Sequence, residues 1–179
     1  MSKRLIRFDW AIKKILRDKE NFVILEGFLS ELLKEDITII EILESESDRE
    51  YENNKLNRVD ILAKDKKESL IIFEIQVNKE YDYFSRILYG VSKTISERLL
   101  KGKEYKEVKK VYSISLVYFD LGHGEDYVYH GKTEFYGIHK NDELELNAEQ
   151  KKLYGSEKTY EVFPEYYIIK VEKFDDETR

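Results

Sequence analysis

Asp60, Glu74 and Gln76 stand inside two strongly apolar runs, residues 57–63 and 70–77, separated by a charged break at 64–69. Both runs are rich in β-branched and aromatic residues, so they read as the two strands of a hairpin. Successive strand side chains alternate between faces, which puts Glu74 and Gln76 on one face and Phe73, Ile75 and Val77 on the other. With the loop centred near Lys67, Asp60 falls opposite Glu74. Two carboxylates on one face of an apolar strand pair repel, and burying them is costly unless a proton or a cation lies between them. With the backbone carbonyl of Ile75 they form an oxygen set suited to a hard divalent ion, magnesium or manganese. Such an ion lowers the pKa of its bound water and neutralises charge on a phosphodiester under attack, so the chemistry indicated is metal-assisted phosphodiester hydrolysis. Gln76 is neutral: it can orient a water or bridge to a phosphate oxygen, but it cannot readily accept a proton at neutral pH.

These residues need elements to hold them. Asp9 is placed to cap a first helix carrying Trp10, Ile12, Ile15 and Leu16, ended by the charged break at 17–20. Phe22, Leu25, Phe28, Leu29, Leu32 and Leu33 recur at three- and four-residue spacing and make a second amphipathic helix, stopped by Lys34, Glu35 and Asp36. Residues 38–43 read as a strand, and the acidic, aperiodic segment 44–55 as an exposed loop leading into the hairpin. Beyond the hairpin, Phe84, Ile87, Leu88, Val91, Ile95 and Leu99 mark residues 83–100 as the longest helix, its opposite side carrying Arg86, Tyr89 and Lys93. A strand over 108–119, a glycine-containing turn at 120–125, and strands over 127–136 and 160–174 around a polar stretch at 140–158 complete the reading. The order of helices and strands mixes local antiparallel pairing with a helical crossover, which predicts an α/β fold with a mixed central sheet flanked by helices.

Composition narrows the function classes. The chain has 179 residues, 41% of them hydrophobic, enough for one well-cored domain over residues 1–179. Cysteine is absent, which excludes disulfide frameworks, cysteine-based zinc sites and thiol catalysis. No apolar run reaches membrane-spanning length and the first twenty residues carry charges throughout, so the expectation is a cytoplasmic protein with no membrane partner. A net charge of −6 means that contact with a polyanion must come from local basic patches.

The runs Arg58-Val59-Asp60-Ile61-Leu62-Ala63 and Ile72-Phe73-Glu74-Ile75-Gln76, with the opening Phe8-Asp9-Trp10-Ala11-Ile12-Lys13-Lys14 and the Arg86–Tyr89 pair, resemble the PD-(D/E)xK nuclease superfamily. The similarity is to its branch of Rpn-type recombination-promoting nucleases and transposases. That resemblance implies a restriction-endonuclease-like αβββαβ core and magnesium-dependent cleavage of DNA, with a role in recombination or mobile-element biology. Carried over by position, Asp60 and Glu74 would be metal ligands and Gln76 would fill the slot of the superfamily lysine. Asp9, Lys13, Arg86 and Tyr89 would be additional site or phosphate contacts. The sequence departs from the pattern in having Asn57 and Arg58 where the eponymous proline is expected, and glutamine in place of the charged lysine. Family members often run longer, with a helical C-terminal part, so a C-terminal extension is a further expectation.

Simpler readings stand beside these. Lys13 and Lys14 suit a solvated helix face, and Asp9 a plain N-cap. His123, His130 and His139 match no compact ligand motif and read as surface or structural residues; the fourteen tyrosines read first as core packing. Three functional classes remain: an Mg- or Mn-dependent DNA endonuclease, expected as a homodimer if it breaks both strands; a nuclease-fold module that binds nucleic acid or a protein partner without cutting; and, least favoured by the sequence, a purely structural interaction domain.

Overall fold

A computed structural model describes residues 18–43, 60–99 and 104–171. The predicted first helix, with Asp9 and Lys13, and the predicted loop at 44–55 lie outside them. Helix α1 (Phe22–Leu33) follows a 3-10 turn and ends at Lys34, whose φ of 57° is left-handed. Strands β1 (Ile39–Leu43), β2 (Ile61–Asp65) and β3 (Leu70–Gln76) form an antiparallel meander. Helix α2 (Tyr83–Arg98) then crosses to β4 (Val111–Val117), which lies parallel to β3. Strand β5 (Val128–Gly131), helix α3 (Ala148–Tyr154), the short helix α4 (Thr159–Val162) and β6 (Glu165–Lys170) follow. The sheet order is β1-β2-β3-β4-β6-β5, with β6 parallel to β4 and β5 antiparallel on the outer edge. The run from α1 to β4 is the expected αβββαβ arrangement in a mixed six-stranded sheet.

The central strands are buried on both faces, which is why β3 reads as an almost continuous apolar run. On one face Leu25 and Leu29 of α1 pack with Ile71, Phe73, Ile75 and Ile114. On the other, Val91 of α2 meets Leu62, Ile72 and Val111, while Tyr83 and Ile87 meet Val117 and Phe119. The hairpin turn is tighter than the predicted 64–69 break, because Asp65 belongs to β2: its Oδ1 accepts from the Lys67 and Ser69 amides at 2.9 and 2.8 Å.

Four other expectations need correction. The 127–136 strand shortens to Val128–Gly131, and the 160–174 strand begins only at Glu165. Residues 159–162 are a helical turn instead, and Pro164 favours extended geometry at Phe163 just before β6. The polar stretch at 140–158 holds α3, closed by an Asn147–Gln150 capping box and by Gly155 at φ 64°. On α2 the core stripe is Tyr83, Ile87, Val91 and Thr94, whereas Phe84 and Leu88 are exposed.

Candidate active site

The open end of the β2–β3 hairpin gathers the site. Ile61 pairs with Phe73 and Ala63 with Ile71, so the same register carried one step further sets Asp60 beside Glu74. Asp60 is bound there by the backbone: its Oδ2 accepts from the Ile75 amide at 2.7 Å. A strand residue directs its N–H and C=O toward the same neighbour, so the Ile75 carbonyl faces the same edge as Asp60. Glu74 lies on the α2 side of β3 and is only 9% exposed. Its carboxyl is pushed up from an ordinary 4.5 to about 7, chiefly by burial. Arg86 pulls it down, Asp60 raises it, the Tyr83 hydroxyl hydrogen bond lowers it and Glu80 raises it.

Around this pair lies a second set of contacts. The fully buried Tyr83 donates its hydroxyl to Glu74 Oε2 at 3.4 Å and also hydrogen-bonds Ser115 on β4; burial, ahead of the Glu74 charge, pushes the phenol's pKa up. Gln76 donates from Nε2 to the Asn78 carbonyl at 3.0 Å and to Glu80 Oε1 at 2.7 Å. Arg86 Nη1 reaches that same Glu80 oxygen at 2.7 Å, so α2 sends its guanidinium into the acidic group rather than out to solvent. Lys93 pairs instead with Glu97 at 3.6 Å.

Of the residues singled out from sequence, the structure gathers Asp60, Glu74, Ile75, Gln76 and Arg86. Tyr89 is 52% exposed on α2 and, like Tyr81, is not core. Sequence reasoning missed Glu80 and the roles of Tyr83 and Ser115. Tyr83 was visible as a helix-start aromatic, but nothing in the spacing marked its hydroxyl as a carboxylate partner. His130 has a structural setting: its Nε2 lies 2.6 Å from Glu165 Oε2, and its ring stacks on Tyr167.

The donor set fits a hard cation. Among the described residues no three His, Cys, Asp or Glu side chains are placed to hold a metal ion together. An ion held by Asp60 and Glu74 would therefore keep much of its coordination as water, which is how magnesium is usually bound. A buried carboxylate kept partly protonated by its surroundings is the group that a cation relieves.

The family described as PD-(D/E)XK nuclease family transposase matches residues 6–154, most of the chain. The chain belongs to that family. The match takes in the hairpin, α2 and β4, and so every residue of the cluster. No curated protein and no solved structure matches the chain. PD-(D/E)XK nucleases generally use divalent metals and act on DNA, and the mixed sheet flanked by helices agrees with a restriction-endonuclease-like member. Among the described residues no helix is long and apolar enough to cross a membrane.

Proposed function

We propose that this family member is a metal-dependent DNA endonuclease that hydrolyses phosphodiester bonds, with a role in recombination or transposition. The observation that carries the reading is the juxtaposition at the hairpin end: Asp60 tied to the Ile75 amide beside a buried Glu74 raised to about 7. Asp60, Glu74 and the Ile75 carbonyl would hold magnesium or manganese. When bound, that ion would supply Lewis acidity and would lower the pKa of its water, so that the water could lose a proton to solvent and become a hydroxide nucleophile. Glu74 would release its proton to solvent as the cation binds, Gln76 would orient the water, and Arg86 would offset the carboxylate charge. Asp9, Lys13 and Tyr89 stay candidates for additional site or phosphate contacts, Asp9 for the former. The reading extends to one domain over residues 1–179, a cytoplasmic location, and a homodimer for cutting both strands, because each site cuts one.

One observation favours a non-cutting module: the Gln76 amide nitrogen and Arg86 are both engaged by Glu80, which leaves less of either for a phosphate. Supercoiled plasmid incubated with wild type and Glu74→Ala, in magnesium, manganese or excess chelator, separates the two. Metal-dependent nicking or linearisation that vanishes in Glu74→Ala is the expected result. Intact plasmid in every lane, from protein shown to be folded, would overturn the endonuclease reading.

A further inference from the structure

Gln76 is the last residue of β3, and its amide is held in one sense. An amide nitrogen carries two hydrogens, and here one goes to the Asn78 carbonyl and one to Glu80 Oε1. Neither partner can donate: one is a carbonyl and the other a carboxylate, which fixes which end of the amide faces them. The hydrogen-bonding capacity left to Gln76 is that of its carbonyl oxygen, an acceptor. A lysine at this position would be a donor only, so the glutamine is a change of sign in what the residue offers, as well as a loss of charge.

Glu80 sets that sense, and Arg86 holds Glu80. The single oxygen Oε1 accepts from both Gln76 Nε2 and Arg86 Nη1, each at 2.7 Å. The Glu80–Arg86 pair is half-buried, and the guanidinium offsets a carboxylate that would otherwise add to the repulsion around Glu74. Resting on the nuclease reading of this site, we propose that Glu80 is a positioning residue: clamped by Arg86, it keeps the Gln76 nitrogen turned toward residues 78 and 80 so that the Gln76 carbonyl oxygen is left to be offered to the hydrated cation of the Asp60–Glu74 site. A carboxylate at 80 can only accept, which is what imposes the orientation. A glutamine at 80 lacks the charge that clamps Arg86 to it; held less firmly, it can turn its own amide hydrogens toward Gln76 and let Gln76 turn over.

The test is a double-mutant cycle read by cation binding rather than by cleavage. The manganese concentration giving half the maximal melting shift is measured for wild type, Glu80→Gln, Gln76→Ala, the double variant and Glu74→Ala. Glu80→Gln is isosteric at a partly exposed position and is expected to fold. Residues that orient a metal's ligands typically cost 10–100-fold in affinity or activity when changed. The expected result is a midpoint raised about 10-fold in Glu80→Gln and in Gln76→Ala, with the double variant no worse than Gln76→Ala, because coupled residues are non-additive. An unchanged midpoint in Glu80→Gln overturns the inference. So do losses that multiply in the double variant, since Glu80 would then act on the cation independently of Gln76. Either result with the response abolished in Glu74→Ala leaves the nuclease reading standing. A wild type with no manganese response overturns both.

Discussion

Replacing Glu74 by glutamine is expected to stabilise the metal-free protein at pH 8 and to leave it unchanged at pH 4. The folded-state pKa of Glu74 is raised from 4.5 to about 7, so between those values the folded protein binds more protons than the unfolded chain. Its contribution to stability therefore falls as pH rises from 4.5 to 7 and is constant above that. At 1.36 kcal/mol per pH unit the full penalty is about 3 kcal/mol. For a chain of this size 1 kcal/mol moves Tm by about 2–4 °C, so Glu74→Gln should melt about 6–12 °C higher at pH 8. The amide keeps the shape of the side chain and can still meet the Tyr83 hydroxyl, so packing is conserved. Thermal unfolding of both proteins with chelator from pH 4 to 8.5 provides the assay, and the difference between them cancels the other titrating groups. That difference should open between pH 4.5 and 7. Parallel curves at every pH, or a less stable Glu74→Gln at pH 8, would refute the reasoning: attraction to Arg86 would then outweigh burial.

The same proton links cation binding to pH. Below pH 7 the ion must displace it, so the manganese midpoint should rise up to about tenfold per pH unit between pH 7 and 5, as titrated by melting, and the melting shift itself should vanish in Asp60→Ala. Asp65→Ala removes a buried carboxylate that accepts two turn amides, and denaturant unfolding should show a loss of about 2–4 kcal/mol, with β1 and β2 losing hydrogen-exchange protection first. Lys110 Nζ lies 2.7 Å from Glu165 Oε1 and also bonds the Tyr160 and Phe163 carbonyls. Lys110→Met should therefore cost about 3–5 kcal/mol in the same assay, because a buried carboxylate loses its charged partner.

The hairpin was legible because its signals are local. Two β-branched runs around a polar break fix the strands, strict alternation fixes the faces, and the centre of the break near Lys67 fixes the register that sets Asp60 beside Glu74. The acidic pair followed from those counts alone. Glu80 was not legible, since its bonds to Gln76 and Arg86 join a strand end to a helix through a connection with no periodicity. On α2 the apolar residues outnumber what a single helical stripe can bury, so spacing could not tell the buried Tyr83–Ile87–Val91 stripe from the exposed Phe84 and Leu88. Those two line an apolar cleft of about 510 Å³ with Tyr166 and Ile168. Near the C-terminus aromatic residues signalled a strand at 160 where a helical turn forms, while the Asn147–Gln150 box and Gly155 marked α3 without an apolar period to accompany them.

The burial of Glu74 joins stability to the proposed chemistry. Holding an ionised Glu74 next to Asp60, with Glu80 close by, costs the metal-free protein about 3 kcal/mol at pH 8. A phosphate brought to the same place without a cation would face carboxylates whose close counter-charge among the described residues is Arg86, already paired with Glu80. Under the endonuclease reading, both difficulties are relieved by one event, entry of a divalent ion with loss of the Glu74 proton. Cation binding and DNA binding must then be positively coupled, each strengthening the other by the same factor. An acidic protein of net charge −6 can thus select a polyanion locally, by making its site attractive only when the metal is present.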